Sequence, residues 1–455
     1  MYNVKFFLKN LKNKIKKFIV TPFFIFFFYF LFSFSCKAEV YWGKDGFNWK
    51  KINPLPERIG PYYATAFDPQ NKRVYVIGGY SSNVNHVGSK SVYLGKIQPD
   101  NNIIWTKLKD YPKNVLGTFC FTNEGKLYCL GGDDGKSVLS ESYAATINAD
   151  GTIGDWQSYT SLPCPLHFHG GLFYKNKVLI FGGRKKLYYP DDVNDNSRRE
   201  IYRLDGTNWT QISQLPIAMD AMAIAVYKGK IYIGGGQITQ QDGQSSRCHI
   251  DKVYFTTISD NGDLGNWVET SFYPNVINYY LDQNCKNWSS KGIKAYHYMA
   301  AYNGYLYVFP AASFAVKGPC KLKQSEWLTS TLRSFRAKIN TDGSLNDWEI
   351  IGPTDCIFDH QNWELNKMAT NLYGGFLDQS KFYLIGGMNY AGVTNAAYYI
   401  NLLKGDFNDD SQITAADIKN LFSSYAQNKS EFELNSDTKI NAVDFGTIKL
   451  NYTIQ

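Results

Sequence analysis

The chain has 455 residues, enough for one large hydrophobic core or several small ones. Its 34 Tyr, 30 Phe and 38 Gly favour strands and turns over helices. The formal charge of +8 is concentrated at the start: residues 1–38 hold seven lysines and no acid, the rest carries 41 basic against 40 acidic residues, and charge gives no ground for a nucleic-acid partner.

The N-terminal segment reads as a secretory signal over residues 1–38. A Lys-rich start precedes the apolar run "FIVTPFFIFFFYFLFSFS", and "CKA" before Glu39 resembles a small-residue cleavage site. The run is long for a signal, so an uncleaved membrane anchor is the alternative. Lipidation at Cys36 is disfavoured, because Ser33 stands where lipoprotein signals carry Leu. The expected address is secreted or cell-surface. Seven cysteines follow the cleavage site, an odd number, and none has zinc-finger spacing. In "FCFTNEGKLYC" a turn at Glu124-Gly125 sets Cys120 opposite Cys129 on neighbouring strands, as a bridge or as two buried thiols.

Six strand–turn–strand segments then recur: "RVYVIGG", "KLYCLGG", "KVLIFGG", "KIYIGGG", "YLYVFPA" and "KFYLIGG". Five end in a Gly pair, and the fifth has Phe309-Pro310 instead. Tryptophans at 49, 105, 156, 209, 267 and 348 fall between the hairpins, three of them after "ADGTIGDW", "DNGDLGNW" and "TDGSLNDW". Units of about fifty residues with four short strands cannot bury both faces alone, so they must close a ring. The pattern resembles the kelch family over residues 40–402 and predicts an all-β, six-bladed β-propeller domain across 39–402. The strand bearing Trp49 should complete the last blade.

With alternating strand directions, the long insertions 184–199, 237–250, 268–294, 310–332 and 349–367 all fall on one face of that ring. Such loops on a rigid scaffold are where binding residues concentrate. Tyr188, Tyr273, Tyr279, Trp288, Trp327, Trp363 and His360 are the candidate ligand-binding residues, because aromatic faces suit both sugar rings and protein hot spots. Each could equally pack one loop against another.

No nucleophile elbow, zinc-protease motif or phosphate loop occurs. His167 and His169 in "HFHGG" are the best pair for acid–base or metal chemistry, and strand alternation would place them on one side. The kelch resemblance implies two enzyme classes, copper radical oxidases and six-bladed sialic acid isomerases. No residue set for either can be assigned, and no catalytic residue is named.

The tail changes character. "GDFNDDSQITAAD" places Asp406, Asn408, Asp410, Gln412 and Asp417 at positions 1, 3, 5, 7 and 12 of a calcium loop, with Ile413 as its apolar anchor. A second copy follows at Glu433, Asn435, Asp437, Lys439 and Asp444. The duplication resembles a dockerin, which implies a small α-helical, EF-hand-like domain over 404–455, Ca²⁺ as its ion and a cohesin-like partner. Ser411 and Thr438 replace the usual Gly at position 6, a strain of about 1 kcal/mol in each loop.

The expected protein is therefore a secreted binding protein. Its propeller presents a loop-decorated face to carbohydrate or a surface protein, and a calcium-dependent tail docks it. A carbohydrate-modifying enzyme of epimerase or oxidase type and a protein-binding scaffold are the alternatives.

Overall fold

The computed structural model describes residues 49–80, 88–186, 197–239, 247–273, 297–309, 334–351, 374–389 and 392–403. It also describes the pairs 277–278, 288–289, 294–295 and 312–313 and, in the tail, 406, 412–414, 416, 417 and 419. The chain divides into Met1–Val40, outside the described residues, and Tyr41–Gln455, which holds every element below.

Six four-stranded antiparallel sheets succeed one another, five of them with strands A to D in chain order. Blade 1 comprises Tyr63–Asp68, Arg73–Gly78, Val92–Ile97 and Ile103–Lys107. Blade 2 comprises Phe119–Asn123, Lys126–Asp133, Val138–Thr146 and Gln157–Tyr159. Blade 3 comprises Gly170–Tyr174, Lys177–Phe181, Glu200–Asp205 and Asn208–Gln214. Blade 4 comprises Ala223–Tyr227, Lys230–Gly234, Lys252–Thr257 and Val268–Phe272. Blade 5 comprises Met299–Tyr302, Tyr305–Val308, Phe335–Lys338 and Glu349–Ile350. Blade 6 takes Gly375–Asp378, Lys381–Ile385 and Ala397–Asn401 from the end of the repeats. Its strand D is Trp49–Ile52, with Trp49 opposite Ile400 and Ile52 opposite Ala397, so the first strand closes the ring.

Sequence explains the layering. Strand B of each blade is an apolar run because it is covered on both faces, and Val178–Phe181 is wholly buried. Strand D is outermost and half-solvated, so "WKKI" buries only its two ends. The Trp of each D region packs toward the preceding blade. Trp156 meets Tyr111 edge-on at 4.9 Å, Trp105 donates to the Asn53 carbonyl, and Trp348 donates to Ser271. Strand B tyrosines reach forward: Tyr75 donates to the Gly151 carbonyl and Tyr232 to that of Gly343, each in the following blade.

The Gly pairs sit at the ends of the B strands. The second amide donates to the connection entering the next blade at 2.8–3.0 Å: Gly79 to Val115, Gly132 to Leu166, Gly183 to Met219 and Gly387 to Ile59. In blade 2, Gly131 and Gly132 have φ of 61° and 101°, and a Cβ on Gly131 would lie 2.8 Å from the Leu166 carbonyl. Both the left-handed backbone and the close approach therefore demand glycine.

The turn at Glu124-Gly125 has φ of 46° and 68°, the primed two-residue hairpin, and it brings Cys120 and Cys129 together in a disulfide. Three C–D connections, 147–156, 258–267 and 339–348, are each ten residues long. Each folds back through one backbone bridge, Ile147–Ile153, Ile258–Leu264 and Ile339–Leu345.

After blade 6 the chain stays attached to the propeller. Leu402 donates to the Ser380 carbonyl at 2.7 Å, and Leu403 is buried. Helical backbone is described only at residues 416, 417 and 419. Among the described residues no helix is long and apolar enough to cross a membrane. The segment 1–38 and most of the expected domain 404–455 lie outside the described residues.

Candidate functional site

Strand A of every blade faces the axis. The six strands enclose a cavity of about 210 Å³ whose lining includes Thr65, Thr118, His169, Met222, His297 and Phe376. These residues lie in, or just before, the first half of their strands, so the cavity sits at the end where the B–C and D–A connections meet. The long connections join strands at that same end: 182–199 and 235–251 in blades 3 and 4, 309–334 in blade 5, and 273–298 and 351–374 between blades. Part of the wall is aromatic, with Phe67 stacked on Phe376 at 4.7 Å.

A chain of backbone bonds edges this mouth. Gly117 donates to the Tyr62 carbonyl at 2.8 Å, Phe168 to that of Gly117 at 3.1 Å, and Ala221 to that of Phe168 at 2.9 Å. Tyr62, Gly117, Phe168 and Ala221 all have positive φ, between 50° and 72°. Left-handed non-glycine residues carry strain, which the inter-blade bonds offset. The Tyr62 ring meets Phe168 at 4.9 Å and Tyr80 at 5.1 Å, edge-on in both cases.

Beside the mouth runs a buried polar belt from blade 2 to blade 4. His167 lies with Nδ1 2.8 Å from the Asp133 carboxylate and Nε2 2.8 Å from the Lys186 carbonyl. Arg184 lies over the Phe168 ring at 5.0 Å, with Nε 3.4 Å from Asp220. Asp220 also accepts from Ser197 at 2.7 Å and from Gln237 at 2.8 Å. Buried charge is costly unless met by donors and counter-charges. These groups meet one another and hold the mouth of blades 2 to 4 in shape.

His167 and His169 do not form the matched pair that strand alternation predicts. They precede strand A of blade 3, and Phe168 between them is left-handed, which breaks the alternation. His167 joins the belt, whereas His169 packs against Gly183 and Gly131. His169 is 3 % exposed, and neither ring nitrogen makes a hydrogen bond of good geometry. Burial, with His167 nearby, lowers its pKa to about 3, and the Leu166 carbonyl opposes this only weakly. It is a neutral imidazole.

Of the proposed ligand-binding residues, Tyr273 is described in full, and it is buried at the root of its loop. The expected insertion 268–294 begins with strand D of blade 4, and Tyr273 directly follows that strand. It is 2 % exposed, its hydroxyl is hydrogen-bonded to His297 Nε2 at 2.8 Å, and its ring meets Trp348 at 5.5 Å. Burial pushes its hydroxyl well above the usual tyrosine range. Trp288 is described only as backbone, paired with Asn278. Tyr188, Tyr279, Trp327, Trp363 and His360 lie outside the described residues.

In the tail, Asp406 is 6 % exposed and accepts from Asn401 on the last propeller strand at 2.9 Å. Asp417 is wholly buried and accepts from the Thr414 amide at 2.8 Å, while Thr414 Oγ1 accepts from Ala416: a capping box for the turn that follows. Gln412 is also described, and Ile413 is buried. Asn408, Asp410, Glu433, Asn435, Asp437, Lys439 and Asp444 lie outside the described residues. Among the described residues, no three His, Cys, Asp or Glu side chains form a metal-binding group.

Sequence reading missed the belt. A signal existed: the residue after the Gly pair is Asp133, Arg184 and Gln237 in three successive repeats, against Tyr80 and Met388 elsewhere.

No protein-family profile matches the chain. It is 26% identical over 138 residues to beta-scruin of Limulus polyphemus. It is 27% identical over 142 residues to the N-acetylneuraminate epimerase of Pasteurella multocida, and 26% over 137 residues to kelch repeat and BTB domain-containing protein 12 of Danio rerio. These matches span 28–31% of this chain and only 14%, 29% and 22% of the three relatives. The solved structure of YjhT superimposes with a TM-score of 0.51 at 14% identity, over 76% of this chain and 95% of that one, a likeness of fold.

Proposed function

We propose that this kelch-like six-bladed propeller is an exported binding module that takes its ligand at the channel mouth and the insertions around it. The carrying observation is that the axial cavity and the five longest connections share one end, while the other end carries tight A–B turns and shorter C–D connections. Recognition by loops on a rigid ring keeps the ordering cost low. Carbohydrate is the favoured ligand class. The cavity mixes aromatic wall with neutral hydrogen-bonding groups such as Thr65, Thr118 and His169, and one relative is named for an amino sugar acid. At the opposite end the chain passes into the tail, which in this reading binds calcium and docks the propeller to a cohesin-like partner.

A screen of the purified chain against soluble glycans, with calcium present and NMR reading both bound and chemically altered sugar, tests this. Binding without alteration supports the module. An altered sugar makes the propeller a carbohydrate-modifying enzyme, a reading favoured by the His167–Asp133 and Arg184–Asp220 pairs beside the mouth. Silence toward every glycan, with a stable protein complex from a pull-down, would replace carbohydrate by a protein ligand.

A further inference from the structure

We propose that the axial channel selects uncharged sugars and rejects sugar acids. The inference rests on the carbohydrate reading above and narrows it to a substrate class.

Among the described residues, no Asp, Glu, Lys or Arg lines the channel. Its wall instead offers acceptors. Thr65 lies in strand A of blade 1, and Thr118 lies immediately before that of blade 2. The Thr65 hydroxyl donates to the Gly375 carbonyl at 2.9 Å, and the Thr118 hydroxyl donates to the Leu130 carbonyl at 3.0 Å. A hydroxyl has one proton to give, so each of these oxygens has only lone pairs left to offer a ligand. His297 is engaged through Nε2 by the Tyr273 hydroxyl. Phe67 and Phe376 supply an apolar surface on which a sugar ring can lie. At about 210 Å³ the cavity is smaller than the about 300–1,000 Å³ of pockets for drug-sized ligands, so it takes one ring or the terminal ring of a chain.

His169, on the same wall, is nine-tenths buried or more and lacks a hydrogen bond of good geometry at either ring nitrogen. Burial keeps it neutral. A neutral imidazole carries one N–H and one lone pair, the complement of a hydroxyl, which donates and accepts at once. Sugar hydroxyls therefore suit both His169 and the two threonine oxygens. A carboxylate only accepts. It would meet one N–H at His169, face lone pairs at Thr65 and Thr118, and give up its water with no cation on the described wall to replace it. The belt beside the mouth does not supply that cation, because Arg184 is matched by Asp220 and His167 by Asp133.

The test titrates the purified chain with matched sugars that differ in charge: galactose against galacturonate, glucose against glucuronate, and the methyl ester of N-acetylneuraminate against its free acid. Affinity is read by NMR, and with six histidines in the chain a histidine-labelled spectrum also reports whether the sugar reaches His169. The expected result is that a neutral sugar moves the His169 signal and binds at least about tenfold more tightly than its acid. Thr65→Lys puts a cation on the wall, and there the preference should fall by at least about tenfold. Acids bound as tightly as their neutral partners, or more so, would overturn the inference and leave the carbohydrate reading standing. So would larger glycans bound with silence from all six sugars, or a neutral preference with no change at His169, since the ligand would then lie outside the channel. No sugar bound in any form would overturn both. Should Thr65→Lys fail to fold, the preference of the unaltered chain and its His169 signal decide together.

Discussion

Two kinds of seam join the blades of this ring. After strand B of blades 1, 2, 3 and 6, a Gly pair brings backbone against backbone, and one amide crosses to the next blade. Blade 5 has Phe309-Pro310 at that place, and the join is made by side chains. Phe309 is fully buried, stacks on Phe382 of blade 6 at 3.6 Å, and meets Trp49 edge-on at 6.2 Å. Its own amide turns back to the Tyr298 carbonyl within blade 5. The difference teaches that the repeat needs an inter-blade contact at this position rather than glycine as such. A stitch of main-chain atoms tolerates no Cβ, whereas a stack of rings is made of little else.

The sharpest attack on the comparison is at Phe309. Phe309→Ala should cost about 3–5 kcal/mol, because the cavity left beside Trp49 and Phe382 has no rotamer to fill it; chemical denaturation measures it. A loss below about 1 kcal/mol would mean the stack is incidental. Next comes Gly131→Ala, expected to cost about 2–4 kcal/mol through left-handed strain and overpacking against Leu166. Its control is Gly206→Ala. Gly206 has φ of 63°, close to that of Gly131, but a Cβ there meets nothing within 4 Å, so only the backbone penalty of about 1 kcal/mol should appear. Equal losses at the two sites would reduce the Gly pair to a conformational requirement.

The smallest effect is at neutral pH and grows with acid. His169 fills the Gly-pair seam between blades 2 and 3, and its folded-state pKa of about 3 lies below the ordinary 6.5. Below pH 6.5 the unfolded chain takes up a proton that the folded chain refuses, so stability is full above 6.5 and falls as pH drops toward 3. The slope should approach about 1.4 kcal/mol per pH unit. His169→Leu should flatten that part of the stability profile, measured by denaturation at a series of pH values. An unchanged slope would place the acid-sensitive group elsewhere. The aromatic seam of blade 5 has no such group at Phe309.

The repeat pattern alone determined six blades, the order of strands and the closing role of Trp49–Ile52. Period, Gly pairs and spaced tryptophans are local signals of contacts that every blade repeats, so six copies reinforce one another. The Cys120–Cys129 register was legible for the same reason: a two-residue turn at Glu124-Gly125 admits one pairing. The site was less legible. Tyr273 carries the same aromatic signature as a loop residue, and only packing against His297 and Trp348 makes it core. His167 and His169 look equivalent in "HFHGG", yet one left-handed residue between them sends one to a carboxylate in blade 2 and leaves the other without a partner of good geometry. The belt of Asp133, His167, Arg184 and Asp220 spans nearly ninety positions of sequence. No spacing rule joins residues that meet only because three blades turn the same corner about one axis.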